Sequence, residues 1–517
     1  MRCDGGMYVV LDADRPLTEA EVVDVARHHA PVDISPASLQ RLRDARGHVD
    51  AMAASDTAVY GISTGFGALA TRHIPTDLRS QLQRSVVRSH AASSGDEVEE
   101  EVVRGLMLLR LQTMTTGHTG VRPETAAAYA ALLNAGISPV VREFGSLGCS
   151  GDLAPLAHAA LAVMGEGDVR VGGAEMSAAD ALAGAGIAPV VLAEKEGLAL
   201  INGTDGMLAM LMLACADLDR LARTADLTAA MSLEALLGTD RVLAADLMAL
   251  RPQHGQQIAA ANMRRLLEGS SIVASHRGPQ DTRVQDAYSV RCAPQVAGGL
   301  RDTITHARSV AGREAASAID NPVLHADGRL ESNGNFHGAP IAYVLDFLAI
   351  PVADLASISE RRTDRMLDVN RNHGLPAFLA HDPGVDSGLM IAQYTQAGLV
   401  SELKRLAVPA SVDSIPSSAM QEDHVSMGWS AGRKLRRAVD GLTRVLAIEL
   451  LAAARALDLR APLTPAPATG AAVAALRADV SGPGPDRYLS PEIEAAVSLV
   501  RSGAVLAAAE AVCGALE

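Results

Sequence analysis

The amino-acid sequence predicts a mainly α-helical fold, and three features indicate it. Hydrophobic residues make up 48% of the 517 residues but aromatic residues only 3%, so the core must be built largely from Ala, Leu, Val and Met. These residues pack well between helices. Apolar residues also recur at helical spacing, as at Val102, Leu106 and Leu109. Finally, Ala/Leu-rich segments from about residue 300 to 460 have the length of long helices.

The length of the chain allows two or three domains, or one large helical body. We expect an N-terminal domain in residues 1–200, a central segment of long helices in residues 201–460, and a C-terminal linker with short helices in residues 461–517. The linker is predicted from the Pro-rich stretch APLTPAPAT, which opens the last segment. Within the first segment, residues 76–133 predict two helices with a break, and the Gly-rich residues 165–190 predict a surface excursion.

Charge and apolar patterning exclude several classes of partner. The formal net charge of -15 argues against a nucleic acid or an anionic membrane. The most apolar stretch, residues 207–216, is about half as long as a membrane-spanning helix, and the apolar run near the N-terminus is too short for a signal peptide. The five cysteines lack CxxC spacing, and the histidines lack metal-ligand spacing. We therefore expect a soluble cytoplasmic protein with reduced thiols and no metal site.

The segment with the most distinctive chemistry is residues 145–158, which read GSLGCSGDLAPLAH. If the backbone is pinched there, the amide nitrogen of Gly151 can attack the carbonyl carbon of Cys149, a turn that glycine tolerates most easily. Loss of water, including the hydroxyl of Ser150, would leave a double bond attached to a five-membered ring, which is an electrophile. Asp152 is placed to cap the helix that follows.

Two other readings of Ser150 are a helix-cap serine in a Gly-rich turn and the nucleophile of a hydrolase. The hydrolase reading is disfavoured because the local pattern lacks the G-x-S-x-G spacing of a nucleophile elbow.

The same segment resembles the motif GSxGxSGDLAPLAH of the histidine and aromatic amino acid ammonia-lyases, a family whose Ala-Ser-Gly-type triplet forms 4-methylideneimidazole-5-one (MIO). The resemblance implies that Cys149, Ser150 and Gly151 form this group and that no external cofactor or metal is needed. Cys149 stands where Ala is commonest in the family. Ring closure uses only its main chain, so we expect the cysteine to be tolerated.

The family resemblance also implies the architecture and the assembly. It implies a mostly helical fold whose long helices form a central bundle of the ammonia-lyase type. It further implies a homotetramer in which active sites combine residues from more than one subunit.

Residues 60–67, YGISTGFG, resemble the family's YGxxTGFG loop. The resemblance implies that Tyr60 is the base that removes a β-proton from the substrate. Taken alone, the tyrosine would be read as a buried residue beside a turn. The glycines also mimic a dinucleotide-binding fingerprint, but no clear βαβ unit surrounds them and no acidic residue follows at the required distance.

Residues 285–292, QDAYSVRC, resemble the family's QDxYSxRC motif. A planar guanidinium can bind an α-carboxylate through two hydrogen bonds, so we predict that Arg291 anchors the substrate. The resemblance implies polar pocket roles for Gln285 and Tyr288, with a purely structural role as the alternative for Tyr288.

Three further motifs complete the set of predicted site residues. Asn202, in GLALINGT, matches an asparagine that contacts the electrophile or the carboxylate in the family; a simple turn is the alternative. Asp205, three residues after Asn202, stands where many relatives have Gln or His. Phe336, in NGNFH, is expected to pack near the electrophile. Glu422, in QEDHVSM, is a candidate acid/base or imidazole partner, and a solvated helix start is its alternative.

Ser89 and His90 lie in a segment, residues 82–92, that sorts substrates in this family. Phenylalanine lyases place Phe-Leu at these two positions, tyrosine lyases place His-Leu, and histidine lyases place Ser-His, as this chain does. His90 and Glu422 could satisfy the imidazole nitrogens, whereas an unpaired polar group costs about 1–3 kcal/mol. We predict elimination of ammonia from L-histidine to give trans-urocanate, the first step of histidine degradation.

Three alternatives to this function remain at this stage. The same electrophile could serve a tyrosine or phenylalanine ammonia-lyase, or a 2,3-aminomutase. A third reading is a non-catalytic helical assembly protein that never closes the ring.

Overall fold

The structure is a computed structural model, and it describes residues 8–55, 58–278, 281 and 284–517, with only the backbone of residue 68. The α-helices of these residues span Glu19–His28 (α1), Pro36–Ala53 (α2), Arg79–His90 (α3), Glu100–Thr115 (α4), Pro123–Asn134 (α5), Leu153–Val163 (α6), Ala178–Ala185 (α7), Glu196–Ala199 (α8), Asp205–Ala235 (α9), Ala245–Ala249 (α10), His254–Leu266 (α11), Ser271–Ala274 (α12), Tyr288–Arg291 (α13), Ala293–Ala315 (α14), Ala339–Leu367 (α15), Met390–Leu406 (α16), Gly428–Asp458 (α17), Pro467–Arg477 (α18), Ser490–Ser502 (α19) and Ala504–Cys513 (α20). Short strands span Val9–Leu11 (β1), Val32–Ile34 (β2), Ser94–Glu97 (β3), Ile137–Pro139 (β4), Arg142–Phe144 (β5), Asp168–Val171 (β6), Ala174–Ser177 (β7), Val323–Leu324 (β8) and Leu330–Glu331 (β9). The predicted mainly α-helical fold is confirmed.

Local sequence signals explain where the first helices begin. Thr18 and Glu21 form a capping box at the start of α1, in which each side chain accepts a hydrogen bond from the backbone N–H of the other residue. The hydroxyl of Ser35 caps α2 by accepting a hydrogen bond from the N–H of Ser38, and Pro36 occupies the first turn. Both helices therefore begin where their N-terminal N–H groups find side-chain partners.

The described chain forms two compact units, and each gathers three separate segments. The first unit comprises Met1–Ala216, Ala307–Asp346 and Pro409–Arg433. The second unit comprises Asp217–His306, Phe347–Val408 and Lys434–Glu517. The division at residues 200 and 460, which follows the order of the chain, stays a prediction.

The first unit contains all the described strands and a buried helix, α4. Strands β1 and β2 pair in parallel, β4, β6 and β7 form a three-stranded antiparallel sheet, and the remaining pairs are β3 with β5 and β8 with β9. Residues 76–133 contain three helices rather than the predicted two, because β3 separates α3 from α4. Residues 165–190 form β6, β7 and α7, and most of these residues are exposed, as a surface excursion would be.

In the second unit, the core contains one buried carboxylate that links three long helices. Glu449 of α17 accepts hydrogen bonds from Thr228 (2.9 Å) and Ser232 (2.7 Å) of α9. It accepts further bonds from Ser359 (2.6 Å) and from the guanidinium of Arg362, both on α15. Both charged groups of the Arg362–Glu449 pair are almost fully buried. A buried carboxylate with this many donors holds the three helices in one register.

The Pro-rich stretch predicted as a linker is packed into the second unit. The carboxylate of Glu234 accepts hydrogen bonds from the backbone N–H of Ala466 (2.7 Å) and from the hydroxyl of Thr469 (2.6 Å). Ala466 and Thr469 are fully buried, and α18 begins at Pro467. Proline here starts a packed helix rather than a free connection.

One described helix, α15, is long and apolar enough to cross a membrane by length and composition. Its most apolar window has a mean hydropathy of 1.8, but 61% of that window is buried inside the protein. The bent pair α19 and α20 passes the same test only if the two helices are counted together. Burial of this kind is typical of a core helix.

Candidate active site

Gly151 adopts a backbone conformation that other residues rarely adopt. Its φ is +82°, and a Cβ placed on it would lie 2.0 Å from the carbonyl oxygen of Gly203. The same carbonyl accepts a hydrogen bond from the N–H of Asp152 at 2.7 Å. Only glycine fits this close approach of two backbones. The triplet Cys149-Ser150-Gly151 is therefore held in a tight bend against the turn at Gly203.

Two later motifs hold the start of this bend. The carbonyl oxygen of Gly148 accepts hydrogen bonds from the hydroxyl of Ser426 (3.0 Å) and the N–H of Gly338 (3.3 Å). The carbonyl of Leu147 accepts another from the N–H of Met427 (2.9 Å). QEDHVSM and the residue that follows NGNFH thus donate hydrogen bonds to the backbone beside the triplet, contacts that sequence spacing alone does not reveal.

Glu422 lies directly beside the triplet. Its carboxylate oxygens accept hydrogen bonds from the hydroxyl of Ser150 (3.2 Å) and from the thiol of Cys149 (3.3 Å). The hydroxyl of Ser417 donates a third bond at 3.0 Å. The hydroxyl that ring closure must remove is therefore in contact with a carboxylate, a group able to exchange protons with it.

The thiol of Cys149 is protected from ionisation. Burial, followed by the nearby charge of Glu422, raises the pKa of Cys149 to about 12. The side chain consequently stays a neutral thiol at physiological pH and is a weak nucleophile.

Asp152 lies at the predicted helix start, but its side chain has a different partner. It makes no capping hydrogen bond to α6. Its carboxylate accepts hydrogen bonds from the N–H of Met207 (2.8 Å), in the first turn of α9, and from the hydroxyl of Ser146 (3.0 Å). Burial raises the pKa of Asp152 to about 7 in spite of these bonds. The expected cap of α6 is therefore a cap of α9, which ties the triplet to a second helix.

Tyr60 is oriented by its own loop. Its phenol oxygen accepts a hydrogen bond from the N–H of Gly67 at 3.1 Å, and the ring of Phe66 packs edge-on with centroids 6.2 Å apart. A Cβ on Gly67 would lie 3.2 Å from the hydroxyl of Ser418, so this loop is adjacent to the segment that leads into Glu422. The structure thus places the loop of the predicted base next to the loop of the predicted carboxylate.

Asn202 precedes the turn that contacts Gly151. Its side-chain oxygen is buried and has no hydrogen-bond partner among the described residues. A buried amide oxygen without a partner is unfavourable, which makes it available to a ligand that donates a hydrogen bond. The position agrees with the predicted role beside the electrophile, which stays a prediction.

Sequence reasoning missed Arg110, which donates hydrogen bonds to the same turn. Its guanidinium is fully buried and donates to the carbonyls of Asn202 (2.5 Å) and Ile319 (2.8 Å). Its Nε lies 3.4 Å from the carboxylate of Asp205. The available signal was an arginine between apolar residues of α4, because charges are buried only when they have partners.

His90 is held by contacts within its own helix. Its Nδ1 lies 2.8 Å from the carbonyl oxygen of Val86 and 3.1 Å from the hydroxyl of Ser89. A carbonyl can only accept, so the neutral ring carries its proton on Nδ1 and leaves Nε2 as an acceptor. Among the described residues no hydrogen bond joins His90 to Glu422. The predicted imidazole partnership of these two residues stays a prediction.

Phe336 is half-buried in the segment that holds Gly148. The neighbouring His337 stacks on His424, with ring centroids 5.6 Å apart, so the phenylalanine lies next to a contact between two of the predicted motifs. Its packing against the electrophile stays a prediction.

The remaining predicted residues, Gln285, Tyr288 and Arg291, lie in the second unit. Gln285 and Tyr288 are exposed. The guanidinium carbon of Arg291 lies 4.5 Å from the ring centroid of Tyr288, a cation–π arrangement. The structure brings Tyr288 and Arg291 together, and their substrate contacts stay predictions.

Comparisons with known proteins identify the class to which this fold and site belong. A family model described as aromatic amino acid lyase matches residues 17–478. The chain belongs to this family. Within it, the chain is 65% identical over 512 residues to a histidine ammonia-lyase of Streptomyces avermitilis, covering 99% of this chain and 100% of the relative.

Solved structures show the same fold over nearly the full length. A histidine ammonia-lyase from Trypanosoma cruzi is 38% identical with a TM-score of 0.89, covering 98% of this chain and 95% of that one. A tyrosine aminomutase from Streptomyces globisporus is 36% identical with a TM-score of 0.92, covering 97% and 98% of the two chains. The predicted family and helical lyase fold are confirmed. The prediction of an enzyme of the ammonia-lyase type is confirmed as well.

Proposed function

We propose that this chain eliminates ammonia from L-histidine and releases trans-urocanate. The observation that carries the proposal is the contact of Ser150 with Glu422 on a backbone bend that only glycine permits at Gly151. The reaction predicted from the sequence is confirmed by the 65% identity to a histidine ammonia-lyase over 99% of this chain.

The electrophile forms from the triplet by dehydration alone. The nitrogen of Gly151 bonds to the carbonyl carbon of Cys149, and the carbonyl oxygen leaves as water with the amide protons of Ser150 and Gly151. A second water takes the hydroxyl of Ser150 and its α-proton, which creates the exocyclic double bond. No oxidant is needed. The residues present fit formation of MIO. Gly151 already lies in close contact with the backbone of Gly203, and Ser150 already contacts the carboxylate of Glu422.

Once formed, the ring supplies an electrophilic methylidene carbon, which no ordinary side chain provides. Tyr60 removes the β-proton of the substrate, and the amino group departs from the neighbouring carbon as the double bond of the product forms. Glu422 and His90 hydrogen-bond the imidazole nitrogens of the substrate. Arg291 binds the α-carboxylate of the substrate, and Asn202 contacts that carboxylate or the electrophile. These assignments rest on the family motifs; the unpartnered side-chain oxygen of Asn202 and the oriented ring of His90 support two of them.

The proposed assembly is a cytoplasmic homotetramer whose active sites combine residues from more than one subunit. The exposure of Gln285 and Tyr288 leaves both side chains accessible to a second subunit, as such a shared site requires. The substrate is a free amino acid, with no nucleic acid or membrane partner. Among the described residues, no group of three or more His, Cys, Asp or Glu side chains is arranged to hold a metal ion.

The test is the near-ultraviolet absorbance of the purified protein incubated separately with L-histidine, L-tyrosine and L-phenylalanine. Each lyase product is a conjugated acid with its own absorption band. We expect absorbance to grow with L-histidine only. Growth with another substrate would overturn the histidine assignment. Formation of a β-amino acid would instead support aminomutase chemistry, the activity named for the structural relative from S. globisporus.

A further inference from the structure

Arg110 is a buried cation whose hydrogen bonds are directed at one turn of the backbone. It lies in α4 and has no exposed surface. Nη1 donates to the carbonyl of Asn202 at 2.5 Å and lies 3.4 Å from that of Ala199. Nη2 donates to the carbonyl of Ile319 at 2.8 Å. Since a guanidinium is planar and rigid, its bonds to these carbonyls fix the segments that carry them relative to each other.

The turn that Arg110 contacts is packed tightly against it. A Cβ on Gly203 would lie 2.8 Å from Nη1 of Arg110 and 2.4 Å from the carboxylate of Asp205. Asp205 is also the counter-charge of Arg110, with its carboxylate 3.4 Å from Nε. The backbone at Gly203 is therefore confined between a buried cation and its buried partner and cannot shift without disturbing both.

The opposite side of the same turn presses on the triplet. The carbonyl of Gly203 lies where any Cβ of Gly151 would stand, and it accepts the N–H of Asp152. The bend that brings the nitrogen of Gly151 toward Cys149 is thus shaped by a carbonyl whose own position depends on Arg110. A displacement of the turn would relax the bend.

We propose that Arg110 is a positioning residue for ring closure: through Asn202 and Gly203 it fixes the surface against which Gly151 is bent. The inference rests on the proposed function, because it concerns formation of the electrophile from the triplet. Arg110 touches neither the triplet nor a substrate. Its effect is on how fast and how completely the triplet loses its two waters.

The chain offers a matched control on the same helix. Arg104 also lies in α4, is equally buried, and donates to the carbonyls of Val25 (3.0 Å) and Leu133 (3.2 Å). These partners lie away from the triplet and its turn. Loss of either arginine removes a buried cation and its bonds to carbonyls. Because Arg110→Met also leaves the buried carboxylate of Asp205 without its counter-charge, its melting temperature should fall further than that of Arg104→Met. Only Arg110 is linked to Gly203.

The experiment compares the intact mass and the melting temperature of the wild-type protein with those of Arg110→Met, Arg110→Lys, Arg104→Met and Arg104→Lys. Ring closure lowers the mass by two waters, about 36 Da. We expect Arg110→Met to lose the deficit in most chains, with mass loss about tenfold slower after refolding. Arg104→Met should keep the full deficit, although its melting temperature should also fall below that of the wild type. KM for L-histidine should be unchanged, whereas kcat calculated per total protein should fall in proportion to the fraction of chains that have closed the ring.

Several results would overturn the proposal. One is an Arg110→Met protein with the wild-type deficit, and another is an equal loss of the deficit in Arg104→Met. If both Arg110 variants fail to fold while both Arg104 variants fold, Arg110 has a general folding role and the proposal is also wrong. A wild-type protein of full mass would instead overturn the proposed electrophile, a result distinct from all of these.

Discussion

The carboxylate of Asp152 accepts a hydrogen bond from the backbone N–H of Met207, 55 residues further along the chain. Asp152 therefore follows the triplet directly and at the same time caps the N-terminus of α9. Helix N-termini favour negative charge, whereas burial of the same group disfavours it. Burial dominates here, because the pKa of Asp152 rises to about 7.

This competition predicts a pH dependence of stability. The pKa of Asp152 rises from 3.8 to about 7 on folding, so the folded state holds this proton more tightly than the unfolded state. Its contribution to stability is complete below about pH 4 and is lost as the pH rises through about 7, a change of about 4 kcal/mol. Asp152→Asn removes the ionisable group and therefore this pH-dependent contribution to the free energy of unfolding. Urea unfolding across this range should show the variant gaining stability relative to wild type as the pH rises; parallel curves would refute the assignment.

Substitution of the reactive serine tests the electrophile directly. Ser150→Ala removes the hydroxyl that must leave as water, so we expect no two-water mass deficit and a loss of activity by several orders of magnitude. Intact mass and histidine turnover measure the two effects. Ser417→Ala is the control, because Ser417 also donates to Glu422 but lies outside the triplet. Retention of either the deficit or the activity in Ser150→Ala would rule out the ring.

The cysteine of the triplet should be dispensable. Cys149→Ala keeps every main-chain atom used in ring closure, so the variant should show the deficit of about 36 Da and turnover within a few-fold of wild type. In the wild type, the raised pKa of Cys149 keeps the thiol protonated, so alkylating reagents should leave it unmodified near neutral pH. A variant of full mass would show that the thiol itself takes part in maturation.

Selectivity for the imidazole should depend on His90. The ring is oriented by its contact with the carbonyl of Val86, which leaves Nε2 free to accept a hydrogen bond from a ligand. His90→Leu removes this partner, at a cost of about 1–3 kcal/mol, or roughly 5- to 150-fold in kcat/KM for histidine relative to tyrosine. Parallel kinetics with both amino acids measure the ratio. An unchanged ratio would place selectivity in another residue.

Stability of the second unit should depend on Glu449. Glu449→Gln leaves the buried guanidinium of Arg362 without a counter-charge, which typically costs 3–5 kcal/mol. Glu494→Gln is a suitable control, since that carboxylate is 58% exposed in its pair with Arg444 and surface pairs contribute about 0–1 kcal/mol. Chemical unfolding monitored by circular dichroism compares the two. Equal losses would mean that the buried pair contributes no more than the surface pair.

Features that depend on a few consecutive residues were predictable from the sequence. The glycine requirement at Gly151 and the helix start after Asp152 follow from backbone sterics and helix capping. The composition likewise predicted helices, because a core with few aromatic residues must be filled by small aliphatic ones. These predictions needed no knowledge of distant segments.

Features that depend on distant contacts were not predictable in the same way. Spacing could not show that Ser150 meets a carboxylate 272 residues later, or that Asp152 caps α9 rather than α6. Spacing also could not show that residues 466–469 of the predicted linker pack against Glu234, whose carboxylate accepts hydrogen bonds from Ala466 and Thr469. The family motifs supplied Glu422 only by resemblance.

The contacts of Gly148 have a consequence for the order of events during synthesis. Its carbonyl is held by Ser426, which leaves the ribosome 278 residues after it. A nascent chain that ends before Ser426 carries the triplet and the turn at Gly203 but lacks the hydrogen bond that holds the carbonyl of Gly148. We therefore expect the reactive group to mature only when synthesis is nearly complete, so that the electrophile is not presented to cellular thiols and amines during translation.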